Sequence, residues 1–274
     1  MTLCLLSNTI LCFSCKRLLL HTFTFMKICF SFLLFGFISL QLQAQSVRQF
    51  DEQFHAWYVL MGNHTLTNHI RLHTEAQFRR AGIITPTQQH LFRVGIDYKL
   101  NNNIIITAGY CYVYTGSYGK QPAVLPFNEH RGWEQLLLMH KVGRVVVQHR
   151  YRLENRWIER YDATSQSNKV FYANRFRYRL QASVPLNKPE ISAGAFFAVV
   201  NDELWVNFGK EIRFNVFDQN RAYAGFGFQI DKVCNVQLGY LNQLIFKSDG
   251  IRVENNHTLQ FAFFCNLDFR RAEE

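Results

Sequence analysis

The sequence predicts an all-β protein, an antiparallel up-and-down transmembrane β-barrel of about ten to twelve strands. Three observations predict it. Long stretches alternate polar and apolar residues with period two, as strands do when their side chains leave on opposite faces. The apolar faces recur with almost no helical pattern to cover them, and a closed barrel with a polar inside and an apolar outside accommodates both faces. Aromatics make up 15% of the 274 residues, 26 of them Phe, which suits the aromatic girdles of such barrels.

The stretch 145–157 (VVVQHRYRLENRW) shows the pattern most fully. Val146, Gln148, Arg150, Arg152, Glu154 and Arg156 share one face, opposite Val145, Val147, His149, Tyr151, Leu153, Asn155 and Trp157. Only 5 prolines interrupt the chain, which leaves long strands whole. The net charge of +10 would suit nucleic acid or an anionic surface. Its arginines are spread through strands, however, and not gathered in a helix or tail, which argues against nucleic acid.

The N-terminus reads as an export signal. Met26-Lys27 begins a basic n-region, 28–40 is an apolar h-region, and Leu42-Gln43-Ala44 forms a cleavage site with Gln45 as the first mature residue. Residues 1–25, with Lys16 and Arg17, are read either as upstream of a true start at Met26 or as an extended leader. The expected organisation is a leader and signal peptide over 1–44 and a single barrel domain over 45–274, exported to a bacterial outer membrane or, alternatively, to the periplasm.

The expected strands follow in order. The first, 53–60, is turned by Gly62-Asn63. The second, 68–79, places His69, Arg71, His73, Glu75, Gln77 and Arg79 on one face, with Ile70, Leu72, Thr74, Ala76 and Phe78 on the other. The third, 89–100, ends in an Asn101-Asn102-Asn103 turn. The fourth, 104–115, leads through a Gly- and Pro-containing loop to the fifth, 128–140. The sixth is the stretch above, and the seventh, 170–184, carries Arg175, Arg177, Arg179 and Gln181 on one face. The eighth, 191–208, divides in two if Asn201-Asp202 is a turn. The ninth, 221–230, turns Tyr223, Gly225 and Gly227 inward. The tenth is 235–246 and the eleventh 257–269. Short turns near 62, 102, 142, 187 and 232 alternate with longer loops near 83, 121, 164, 212 and 250, as periplasmic turns and extracellular loops do. Single-chain bacterial barrels normally have an even strand count, so the first strand and the 191–217 region are the doubtful elements. The first strand also runs the wrong way for a periplasmic N-terminus.

Four of the seven cysteines lie in the leader. Cys111, Cys234 and Cys265 remain and are expected to pack as isolated small hydrophobes.

The segments His149-Arg150-Tyr151-Arg152-Leu153-Glu154, Arg175-Phe176-Arg177-Tyr178, Phe217-Asp218-Gln219-Asn220-Arg221, Gly239-Tyr240 and Asn256-His257 resemble the DUF2490 family of exported β-barrel proteins, frequent in Bacteroidetes and without an established activity. The resemblance covers about residues 50–269. It implies fold and location but no mechanism.

The candidate site is a lumenal polar network of Arg71, His73, Glu75, Arg150, Arg152, Glu154, Arg156, Arg175, Arg177, Arg179 and Arg221. Like charges on adjacent strands need neutralising neighbours or water, and Glu75 or Glu134 is expected to supply carboxylates. The network reads either as filling for a small lumen or as a basic channel or pocket for anionic small molecules. No cofactor or metal site is expected, since His69 and His73, four apart on a strand, are separated by about 13 Å. Three functions stay open. The first is a structural or pore-like outer-membrane barrel in contact with outer-membrane lipids. The second is an outer-membrane lipid hydrolase or deacylase, which needs a serine such as Ser183 or Ser192 to meet one of His69, His73, His149 or His257. The third is a soluble periplasmic ligand-binding barrel with its faces inverted, apolar residues inside and arginines outside.

Overall fold

The computed structural model describes residues 48–120, 122–123, 125–162 and 165–270; the expected leader and signal peptide lie outside them. The described chain is eleven strands closed into one barrel: β1 (Gln49–Thr65), β2 (Ile70–Arg80), β3 (Thr87–Lys99), β4 (Ile104–Thr115), β5 (Phe127–Val142), β6 (Val145–Asp162), β7 (Ser167–Pro185), β8 (Phe196–Phe208), β9 (Phe217–Gln229), β10 (Cys234–Phe246) and β11 (Arg252–Cys265). Each strand pairs antiparallel with its sequence neighbours, and β1 closes the barrel against β11 in parallel. An odd up-and-down count forces this, because the first and last strands then point the same way.

One end of the barrel, the mouth where β1 begins, carries the connections 81–86, 116–126, 163–166, 209–216 and 247–251. The other carries 66–69, 100–103, 143–144, 186–195 and 230–233. Short polar side chains build several of these turns by accepting backbone N–H bonds. Asn101 accepts from Asn103 and Ile104, and Asp231 accepts from Val233 and Cys234, all at 2.8 Å. Gly143, at φ 59°, takes the left-handed conformation that the two-residue β5–β6 turn requires.

Alternation assigns the two faces. Outward positions are apolar and exposed on strand after strand: Phe54 at 52%, Val94 at 47%, Leu180 at 42%, Val200 at 52%, Phe226 at 68% and Leu259 at 46%. Aromatic pairs sit near both ends of this surface, Trp157–Tyr172 and Phe217–Phe246 toward the mouth and Phe196–Phe228 at the far end. Glu134 and Asp202 interrupt it as outward, exposed carboxylates at mid-strand. The arginines of β6 and β7 point inward and are buried, so the inverted arrangement does not occur.

Several sequence expectations are corrected. Residues Gly62 and Asn63 lie inside β1, paired with Thr74 and His73. The glycine serves a close approach there, since a Cβ would come within 2.5 Å of the Cys265 carbonyl and the His64 ring. Strand β1 is paired on both sides and belongs to the barrel. Strand β8 is undivided and begins only at Phe196, because Asn201 faces the lumen while Asp202 accepts a hydrogen bond from Asn220 at 2.8 Å. Strand β9 begins at Phe217 and β11 at Arg252, both earlier than expected. Asp218 and Gln219 at the start of β9, and Glu254 and Asn256 at the start of β11, are buried in the polar interior, which gives these strand ends the composition of a loop. Strand β11 ends at Cys265, and Thr65 bridges Asp268 beyond it. Cys234 and Cys265 face each other across β10–β11 with Cα atoms 4.2 Å apart and form a disulfide. Thirty-one residues of sequence separation had hidden that register; among the described residues Cys111 stays free and buried.

Candidate functional site

The waist of the barrel is a packed belt of charge. Register places Arg150 opposite Arg179, Arg152 opposite Arg177, and Glu154 opposite Arg175. Two directly opposed arginine pairs would repel, and the side chains turn along the barrel to avoid it. Arg177 donates to Glu154 at 2.7 Å and to Glu203 at 3.0 Å. Arg175 donates to Glu154 at 2.7 Å and to Asp218 at 3.0 Å. Arg150 reaches Glu203 at 2.6 Å. Arg152 turns to the amide oxygen of Gln135 at 2.7 Å and lies 4.6 Å from the centre of the Trp133 ring.

Glu154 is the hub. Besides its two β7 partners, Arg93 of β3 and Arg131 of β5 approach it at 3.7 and 3.8 Å, so ion pairs run across the lumen as well as around it. Arg93 also pairs with Glu75, which accepts from the Gln77 amide and has His73 at 3.6 Å. Glu129 takes both Arg131 and Arg156, and Arg71 pairs with Asp97. Side chains lining an open aqueous channel are exposed to water. Here Glu154 is 0% exposed, Arg152 and Arg175 2%, and Glu203 4%. Toward the far end an inward cluster of Trp57, Phe197, Val199, Tyr223 and Leu241 fills the lumen with apolar volume.

Above the waist, a cavity of about 490 Å³ opens at the mouth. Eight basic and four acidic side chains line it. Arg79 and Arg221 lie near its floor, both buried, at 5% and 7% exposure. Both stack on Trp57, at 4.0 and 5.0 Å from its ring centre, and Arg221 also lies 4.0 Å from that of Trp205. Their hydrogen bonds go to amide oxygens: Arg79 to Gln77 and Gln89 at 2.8 and 2.6 Å, Arg221 to Gln219 at 3.1 Å. With the Gln243 amide turned so that its oxygen faces the guanidinium, Arg221 also donates to it at 2.9 Å. Amides satisfy the donors without cancelling the charge. The Nε1 donor of Trp205, buried on the cavity wall, has no partner among the described residues. Tyr118, from the connection 116–126, lines the cavity and meets His55 edge-on at 5.8 Å. Burial and the nearby Glu254 carboxylate push its phenol up to about 12.

The expected network residues therefore separate into groups. Arg150, Arg152, Glu154, Arg175 and Arg177 form the belt, with Glu75 on its β2 side. Arg156 and Arg221 line the cavity with Arg175. Arg71 and His73 lie toward the far end, Arg71 on Asp97 and His73 donating from Nδ1 to the amide oxygen of Asn63 at 2.7 Å. Arg179 faces the lumen with its Nε unpaired. Glu134 is not a partner, since it points outward; Glu75 supplies a carboxylate as expected, and the others come from Glu129, Glu154, Glu203, Asp97 and Asp218. Also unforeseen were Arg79 as a cavity residue, Arg93, Arg131 and the three inward tryptophans. Period-two parity on β3, β5 and β8 was the signal for most of them: it aligns Arg93 with Asp97, Glu129 with Arg131 and Trp133, and Glu203 with Trp205.

The serines and histidines weighed as hydrolytic partners do not come together. Ser183 lies on β7 and Ser192 in the connection 186–195. His149 stands on the outer face, bonded to the Tyr178 hydroxyl at 2.9 Å, and His257 likewise to Tyr240 at 2.6 Å. His69, in the turn before β2, stacks on Tyr98. Among the described residues no group of three or more His, Cys, Asp or Glu side chains is placed to hold a metal ion.

Comparison with known proteins gives a family without an assigned activity. The model of DUF2490, a protein of unknown function, matches residues 54–254. An uncharacterized protein of Methylorubrum extorquens is 28% identical over 198 residues, covering 69% of this chain and 78% of its own. No solved structure matches.

Proposed function

The chain belongs to the DUF2490 family, and from that premise we propose that it is an outer-membrane β-barrel closed at its waist, a structural or ligand-holding barrel and not an open pore. The observation that carries this reading is the exposed apolar surface that surrounds a charged, buried interior. In water such a surface would drive association; in a bilayer it meets acyl chains. Strand length supports the reading as well. A tilted strand needs about 9–11 residues to cross the hydrocarbon, and the shortest here, β2, has 11. The belt around Glu154 supports closure. Outer-membrane lipids are then the partners of the outer face, and anionic small molecules those of the mouth.

Fractionation of native cells tests the location. The protein is expected in the outer-membrane fraction, with a folded gel band that shifts on boiling. Recovery as a soluble periplasmic protein would overturn the proposal.

A further inference from the structure

We propose that Arg79 and Arg221, both stacked on Trp57, form the floor of a binding site for an amphiphilic oxyanion, a carboxylate or phosphate head on an apolar body. The inference deepens the reading above and rests on its closed waist, which makes the cavity a pocket with a floor.

Four features select this ligand class. First, neither arginine is in ion-pair contact with a carboxylate among the described residues, while the belt arginines beside them, Arg175 and Arg177, are neutralised by Glu154, Glu203 and Asp218. Two buried guanidinium groups held only by amides carry charge that an anion can cancel. Second, Trp57 holds both arginines against one ring, at 4.0 and 5.0 Å from its centre, which keeps the two cations together at the cavity floor. Third, Trp205 adds a buried indole N–H, without an acceptor among the described residues, whose ring stacks with Arg221, a donor of the kind an oxyanion uses. Fourth, apolar side chains stand among the charged ones on the wall toward the mouth. Ile245 stands beside Gln219, one inward position nearer the mouth than Arg221 beside Gln243, and Phe127, Ile158 and Phe171 line the same cavity. A volume of about 490 Å³ lies in the range of small-molecule pockets. Glu254, paired with Lys247, is on the wall and repels an anion that sits on its side, which places the head group toward Arg79 and Arg221.

The test uses the full mature barrel, folded in a non-ionic maltoside, so its outcome does not depend on which compartment the protein occupies. Octyl phosphate, octanoate, octanol and inorganic phosphate are titrated while tryptophan emission is followed, since Trp57 and Trp205 report on the site. Saturable binding of octyl phosphate and octanoate is expected, with octanol and inorganic phosphate weaker by about tenfold or more. Arg79→Gln and Arg221→Gln are each expected to weaken octyl phosphate binding by about tenfold, the loss of one charge-assisted contact. Arg79→Lys and Arg221→Lys, which keep the charge, are expected to lose less, and they decide the matter if a Gln variant gives no heat-shifting folded band. Equal binding of octanol would show an apolar pocket alone. Equal binding of inorganic phosphate would show that the tail plays no part. Unchanged affinity in the variants, or no binding of either amphiphile, would equally overturn the proposal.

Discussion

Glu154 stands at the centre of the interior because four arginines converge on it and water does not reach it. Removing one partner of a buried ion pair is expensive, because the remaining charge stays desolvated. Glu154→Ala therefore leaves Arg175 and Arg177 short of a carboxylate and is expected to cost about 3–5 kcal/mol. Urea unfolding of the barrel in vesicles measures it, and a loss below about 1 kcal/mol, the level of a surface pair, would show that the hub is solvated. Glu154 and its β7 partners were legible in the sequence, because alternation on two neighbouring strands is enough to put them on one face. Arg93 was not. Its approach to Glu154 crosses the lumen between strands that are not neighbours, and no local pattern encodes that distance. Arg79 was seen as inward but not as part of a cavity, for the same reason.

At the scale of the element, strand interiors were readable, and strand ends were readable only where turn residues flank them. The fourth strand was read to its exact bounds because β-branched residues and tyrosines fill it and turn residues flank it. The starts of β9 and β11 were missed where a polar lumen gives strand residues such as Asp218, Gln219 and Glu254 the look of a loop. The doubt about β1 came from applying an even-count rule to a barrel that closes in parallel. Strand β8 supplies a prediction of its own. Asp202 faces outward near its middle, exposed, with the Asn220 amide as its donor. A carboxylate on the lipid face costs stability, though less than the 2–4 kcal/mol of a lysine or arginine at the midplane. Asp202→Leu is expected to stabilise the barrel in lipid vesicles by on the order of 1 kcal/mol. Destabilisation there would place this part of β8 outside the bilayer.

For the barrel as a whole, the odd strand count puts the start of β1 and the end of β11 at opposite ends, and β1 begins at the same mouth as the cavity. A closed waist has a direct electrical consequence. In planar bilayers the purified barrel is expected to show no steady ionic conductance, and a stable open current would mean that the belt leaves an aqueous path. Composition and alternation, with little helix to cover the apolar side, favoured the observed disposition of the two faces but left the inverted one open, because alternation is the same for both. The closure of the lumen was not legible, because alternation shows that a residue points inward but not whether side chains meet in the middle.

The central claim is that the apolar outer face meets lipid. Spin labels at Val200→Cys and Leu259→Cys, both outward and about half exposed, in a background without the free Cys111, test it most directly in native-lipid vesicles. The account predicts high collision rates with oxygen, which concentrates in acyl chains, and low rates with a water-soluble nickel chelate. Labels at both positions that the chelate reaches as freely as it reaches a surface loop would contradict it.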